Sequence, residues 1–278
     1  MEPSAFHIVM RPRNDRVIAP TLDERRLLAR TLFDVCRSFE LLGFGVPDNH
    51  LHLVAVETEV RAKELARRVA IAVTKRLGLP GGFAPAHLEP IHSSKHLQNA
   101  LRYSIGQSEH HGASGDPDFE GTNLPDILGL RPMGGFTADR VRRWLPRLRC
   151  DEILSWARVD GLMPSDGPVT LLGRAARAAL ARPELDGSDR QLIAARRALV
   201  HLGEPTLGCA EIGRLLGVSA RTVRRYRKEK LDQEWVRILR LQLAWLSRPG
   251  RVDRARGPFG ADLRPFQGES AARGQVAP

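Results

Sequence analysis

Cysteine is scarce in this chain: Cys36, Cys150 and Cys209 are the only three in 278 residues, far apart and never in a Cys-x-x-Cys pair. An odd, scattered set excludes a disulfide framework and a cysteine-built zinc site, so the three read as reduced thiols. Long apolar runs are missing too. No stretch reaches the roughly 18 residues of a membrane span, and Met1 to His7 has no basic segment leading into an apolar one. A cytoplasmic protein without membrane contact is expected. Acidic residues are outnumbered, 32 against 43 lysines and arginines, which gives a net charge of +11 and a pI of about 10.6. Such a field attracts polyphosphate, so nucleic acid is the expected partner. Tyrosine is the rarest residue, with Tyr103 and Tyr226 alone.

What is present is ordinary for a soluble globular protein: 42% apolar and 27% charged residues, in a length that holds two domains of usual size. Phe6 to Arg11 is a short apolar run stopped by Pro12, suited to a first strand. Thr21-Leu22-Asp23-Glu24 has the form of a capping box, and Leu27, Leu28, Thr31, Leu32, Val35 and Phe39 continue at helical spacing, predicting a helix over 22–40. Strands are expected around Leu41 to Val46 and Leu51 to Glu57, joined through the Pro47-Asp48-Asn49 turn. Val60 to Leu77 repeats as an amphipathic helix with a basic outer face. Leu88 to His92 suits an edge strand, where Pro90 is tolerated, and Ser93 or Ser94 caps a helix running to about Ser108. The order strand, helix, two strands, helix, strand, helix predicts an α+β domain over 1–112 with a ferredoxin-like antiparallel sheet covered by helices.

One stretch of this domain carries chemistry. In His50-Leu51-His52, alternate strand residues point the same way, so two imidazoles can face one ion while Leu51 faces the core. With nine histidines in 278 residues such a spacing arises by chance roughly 0.3 times, so it needs a partner elsewhere. Tyr103 and Gln107 sit four apart on the closing helix and share a face. If that face covers the histidine strand, two imidazoles, an amide oxygen and a phenol meet, a set able to hold a divalent ion while the phenolate attacks phosphorus. Taken alone, Tyr103 is an ordinary half-buried helix residue.

Phe6-His7-Ile8-Val9-Met10-Arg11, Pro47-Asp48-Asn49-His50-Leu51-His52-Leu53 and Leu97 to Gln107, in that order, resemble the single-tyrosine transposases of the HUH endonuclease superfamily, most closely the REP-associated tyrosine transposases. The resemblance spans about residues 5–112. It implies His50, His52 and Gln107 as ligands of a divalent metal, Mg²⁺ or Mn²⁺, and Tyr103 as the nucleophile that cleaves single-stranded hairpin DNA through a covalent phosphotyrosine. Asp48 lengthens the usual Pro-Asn-His turn by one residue, and an Asn-Pro pair after the tyrosine is replaced by Ser104 to Ser108. Gly106 costs that helix about 1 kcal/mol relative to alanine. A domesticated, inactive DNA-binding regulator is the alternative. A rolling-circle initiator or relaxase commonly has a lysine four residues after the tyrosine or a second tyrosine nearby, and this chain has neither.

Beyond residue 112 the chain reads as a linker over 113–136, rich in Gly, Pro and Asp, then a helical region over 137–204 to which no chemistry is assigned. Residues 205–247 contain the pattern of a helix-turn-helix: a short apolar helix from Cys209, Gly213 where two helices would touch, Gly217 at the turn and a basic second helix. Ser219, Arg221, Thr222, Arg224, Arg225, Arg227 and Lys228 are the expected DNA contacts, cations for phosphates and early positions for base edges. A tail over 248–278 reads as disordered from its Gly, Pro, Arg and Ala content. Whether a homodimer completes the site stays open.

Overall fold

A capping box starts the first helix: Thr21 Oγ1 accepts from the Glu24 main-chain N–H at 3.2 Å, and Glu24 Oε2 accepts from that of Thr21 at 2.9 Å. The computed structural model describes residues 5–106, 120–157, 159 and 161–248. The chain runs β1 (Ala5–Met10), α1 (Leu22–Cys36), β2 (Leu41–Gly45), β3 (Leu51–Val56), α2 (Glu59–Leu77), β4 (His87–Ile91) and α3 (Ser94–Ile105). The four strands form one antiparallel sheet in the order β2-β3-β1-β4, an α+β architecture. Helix α1 stops at Cys36, short of the expected 40. The chain turns there because Glu40 is bound into the start of the sheet: its N–H donates to Glu57 Oε1 at 2.8 Å, and its carbonyl accepts from Val56 N–H at 3.0 Å. Pro90, unable to donate to a ladder, sits opposite Phe6 on β4, which pairs with β1 alone.

The two-residue period of the strands decides the two faces. Phe6, Ile8, Met10, Leu51, Leu53 and Ala55 join Leu28, Leu32, Phe33, Leu65, Val69 and Val73 in one core under α1 and α2. Each fully buried leucine, isoleucine or valine there contributes about 1.5–3 kcal/mol. The opposite face carries Ala5, Val54 and Val56 and is covered by Leu97, Ala100, Leu101 and Ile105 of α3. The outer face of α2 is less basic than its composition suggests. Arg61 is bound to Glu57, Lys63 to Glu59, and both Arg67 and Arg68 to Glu64, whose carboxyl those two guanidiniums hold down at about 2.

Residues 120–131, inside the stretch expected as a linker, are built into the fold. The Asn123 side chain lies against the outer edge of β2, accepting from Phe44 N–H and donating to the Leu42 carbonyl, both at 2.9 Å. Val46 N–H donates to the Gly121 carbonyl at 3.0 Å, so an edge that would template pairing is closed. Glu120 is buried against Arg26 of α1 at 2.7 Å, and Asp126 against Arg131. Helices α4 (Leu124–Ile127), α5 (Gly135–Trp144), α6 (Cys150–Trp156), α7 (Leu172–Leu180), α8 (Arg190–Gly203), α9 (Cys209–Leu216), α10 (Ala220–Tyr226) and α11 (Gln233–Leu246) follow. Leu172, Ala175, Leu192, Leu199, Ile212, Val223 and Leu239 form a separate helical core. Leu241 and Trp245 of α11 reach the α3 side of the sheet, joining Val141 and Leu154 there, and the described residues up to Arg248 are one compact unit. Among the described residues no helix is long and apolar enough to cross a membrane.

Candidate active site

The position of α3 over the sheet depends on two residues without side chains. Gly43 and Gly45 lie opposite Val54 and His52 on the α3 face of β2. A Cβ on Gly45 would stand 1.8 Å from the Ser104 carbonyl oxygen, and one on Gly43 would stand 2.3 Å from Leu101 Cδ1. Glycine here lets the helix backbone approach the strand directly. Ser93 starts α3 by accepting from His96 N–H at 3.1 Å, and Leu97, Ala100, Leu101, Ser104 and Ile105 form its buried stripe. That stripe leaves Tyr103 at the margin of the contact, on the same side as the histidines.

Three imidazoles and the phenol converge there. The His50 and His52 rings are 4.6 Å apart between centroids, and Tyr103 stands edge-on to His52 at 5.3 Å. The His7 ring, from β1, lies within 18° of parallel to His52 at 5.0 Å between centroids and meets Tyr103 at 5.9 Å. The imidazoles are 8%, 7% and 3% exposed for His7, His50 and His52, whereas Tyr103 is 47% exposed. The basic side of the cluster is therefore desolvated and the phenol is open to a large substrate. Gln107 lies outside the described residues, two positions beyond the end of α3 at Ile105.

Both predicted histidine ligands have Nδ1 engaged within the protein. His50 Nδ1 lies 3.1 Å from Asn49 Oδ1, and Asn49 Nδ2 in turn donates to Asp15 Oδ1 at 2.6 Å, so the turn before β3 is anchored to the loop after β1. His52 Nδ1 lies 2.9 Å from His7 Nε2. Burial lowers the pKa of His7 more than the neighbouring Glu89 carboxylate raises it. Asp48 joins the same loop through its main chain, its carbonyl accepting from Ile18 N–H at 3.0 Å. Among the described residues no group of three or more His, Cys, Asp or Glu side chains is arranged to hold a metal, Asp48 included. Two imidazoles side by side, each held through Nδ1, nevertheless have the donor chemistry and outer support of half a divalent-metal site.

The second predicted site, α9–α10, is a tight helical hairpin. Gly217 closes α9 in the left-handed conformation at φ 65°, and a Cβ on Gly213 would stand 2.7 Å from the Val218 carbonyl oxygen. Ser219 caps α10, its hydroxyl accepting from Thr222 N–H at 3.2 Å and meeting the Thr222 hydroxyl at 3.0 Å. Arg225 lies 3.4 Å from Glu229, and Arg227 lies 3.3 Å from Glu204. Arg221, Arg224 and Lys228 are exposed along the same helix and its end. Tyr226 is buried in the helical core, far in role from Tyr103.

No family model matches the chain, and no curated protein matches it. A solved structure described as the REP-associated tyrosine transposase bound to a REP hairpin is similar over 48% of this chain and 86% of that one, at 19% identity and a TM-score of 0.39. Sequence reasoning assigned no role to His7, although a histidine inside the apolar run of β1 is a visible signal. Its significance depends on β1 lying beside β3, with Val9 opposite His52 and His7 opposite Val54.

Proposed function

We propose that this chain is a single-strand DNA endonuclease and strand transferase of the tyrosine transposase type, with Tyr103 as nucleophile on a ferredoxin-like sheet. The observation that carries this reading is the convergence of an exposed tyrosine with buried, internally supported imidazoles: Tyr103 stands edge-on to His52 at 5.3 Å, with His50 alongside. Tyrosine is a poor nucleophile unless the phosphate it attacks is polarised. His50 and His52, with Gln107 as the expected third ligand, would hold Mg²⁺ or Mn²⁺, which would supply Lewis-acid polarisation of the scissile phosphate. Tyr103 Oη then forms a bond to phosphorus, its proton passing to solvent. The bond from phosphorus to one sugar oxygen breaks, and that oxygen leaves as a hydroxyl. A hydroxyl of another strand reverses the step and releases the tyrosine.

In the same reading α9–α10 is a helix-turn-helix that binds duplex DNA, with Arg221, Arg224 and Lys228 as its principal phosphate contacts. Incubation of the full chain with a single-stranded hairpin oligonucleotide and Mn²⁺ or Mg²⁺ is expected to give a covalent DNA adduct that Tyr103→Phe abolishes. No adduct with the wild type, or one undiminished in Tyr103→Phe, refutes the mechanism. Duplex binding that persists without any adduct would favour the alternative, an inactive domesticated DNA-binding regulator.

A further inference from the structure

We infer that Glu89 and His7 form a positioning relay that fixes His52 as its Nδ1–H tautomer and thereby turns the Nε2 lone pair toward a cation. The inference rests on the proposed metal-binding role of His50 and His52. Its own foundation is a line of atoms across three strands. Glu89 Oε2 of β4 lies 3.5 Å from His7 Nδ1 of β1, and His7 Nε2 lies 2.9 Å from His52 Nδ1 of β3. The ladder sets that line: Glu89 is opposite His7, and His7 is diagonal to His52.

The direction of the protons follows from the chemistry of the two ends. An ionised carboxylate only accepts hydrogen bonds, and a neutral imidazole carries one N–H. Glu89 therefore draws the single proton of His7 onto Nδ1, which leaves His7 Nε2 as an acceptor. The short contact to His52 then requires the proton on His52 Nδ1, because two facing lone pairs repel. His52 Nε2 is left with its lone pair. His50 reaches the same state independently, since Nδ1–H donates to the Asn49 amide oxygen and Nε2 keeps the lone pair. Two separate supports thus select the same ring nitrogen on both predicted histidine ligands. Orientation of this kind, from groups behind the ligands, typically changes metal affinity by about 10–100-fold.

Long-range ¹H–¹⁵N correlation spectra of the metal-free full chain, with ¹⁵N-labelled histidine, report the tautomer directly. His52 is expected as the Nδ1–H form, and in Glu89→Ala, an exposed edge-strand change, the Nε2–H form should appear beside it. Mn²⁺ titration is expected to show affinity lowered about 10-fold or more in His7→Leu and recovered in His7→Gln, whose amide oxygen still accepts from His52 Nδ1–H. An Nε2–H tautomer of His52 in the wild type, or a tautomer unchanged by Glu89→Ala, overturns the relay, as does Mn²⁺ affinity undiminished in His7→Leu. A wild-type protein that shows the Nδ1–H form yet takes up no Mn²⁺ upholds the relay and refutes the metal reading instead.

Discussion

The two candidate sites are built by opposite means. At the sheet, His7, His50 and His52 are nearly dehydrated and their ring nitrogens face partners supplied by neighbouring strands and turns. On α10, the cations stand in solvent on a seven-residue helix whose geometry depends on local devices, the Ser219 cap before it and the Gly217 turn behind α9. A buried constellation held by long-range register has little freedom to relax, so a small error in backbone position moves every donor together. An exposed basic helix tolerates changes one charge at a time. The contrast suits the proposed roles, since bond cleavage needs fixed geometry and phosphate contacts are individually weak and additive.

The largest effect is expected within residues 120–131, the segment that closes the outer edge of β2. Arg131→Met removes the partner of Asp126, and both side chains are fully buried. Leaving that carboxyl unpaired should cost about 3–5 kcal/mol in urea unfolding. The pH dependence has a defined sign. Burial pushes Asp126 up to about 6 from the ordinary 3.8 even beside Arg131, so its charged form is the costly one. Its contribution is whole below 3.8 and is lost as pH rises through about 6, a loss that deepens without the guanidinium. Unfolding midpoints of the variant measured between pH 4 and 7 should converge on the wild type toward the acid end. A deficit independent of pH would contradict this.

A smaller but more local break is Gly45→Ala. Its Cβ would stand 1.8 Å from the Ser104 carbonyl oxygen, a main-chain atom that cannot rotate away, so α3 has to move. A stability loss of about 1–3 kcal/mol is expected, together with loss of the covalent adduct because Tyr103 precedes the displaced carbonyl. Gly43→Ala is the control: its Cβ meets the end of the Leu101 side chain, which can rotate, and thermal unfolding should register a milder change.

In the helical hairpin, Ser219→Ala deletes a cap and should cost about 1 kcal/mol of stability while leaving adduct formation on single strands intact. The smallest effects separate the cations. Arg224→Ala should lower the slope of duplex affinity against salt by about 1, as expected for one phosphate contact. Arg227→Ala should lower it by less, because Glu204 already holds that guanidinium at 3.3 Å. Equal slopes for the two variants would erase the distinction drawn from the ion pairs.

Much of this architecture was legible in local patterns. The capping box at Thr21, the alternation of β1 and β3, Pro90 on an edge and the stripe of α3 are each written within a few residues, since caps, periods and prolines act over one or two turns. The Gly, Pro and Asp content of 113–136 suggested a linker for the same local reason. What Asn123 does against β2, Glu120 against α1 and Arg131 within its own turn depends on partners 79, 94 and 9 positions away.

By itself the sequence determined which side chains were available for chemistry: one His-x-His, one tyrosine on a capped helix of the same domain, and a surplus of arginine. It also determined that they would lie on a strand and a helix of an α+β unit. Only the tertiary structure decided that they meet. The sheet order puts β1 between β3 and β4, which brings His7 and Glu89 behind His52, and two glycines admit α3 close enough for Tyr103 to reach the same place. Strand neighbours are set by long-range pairing rather than by local propensity, so a histidine 45 positions upstream becomes a partner only when the sheet closes.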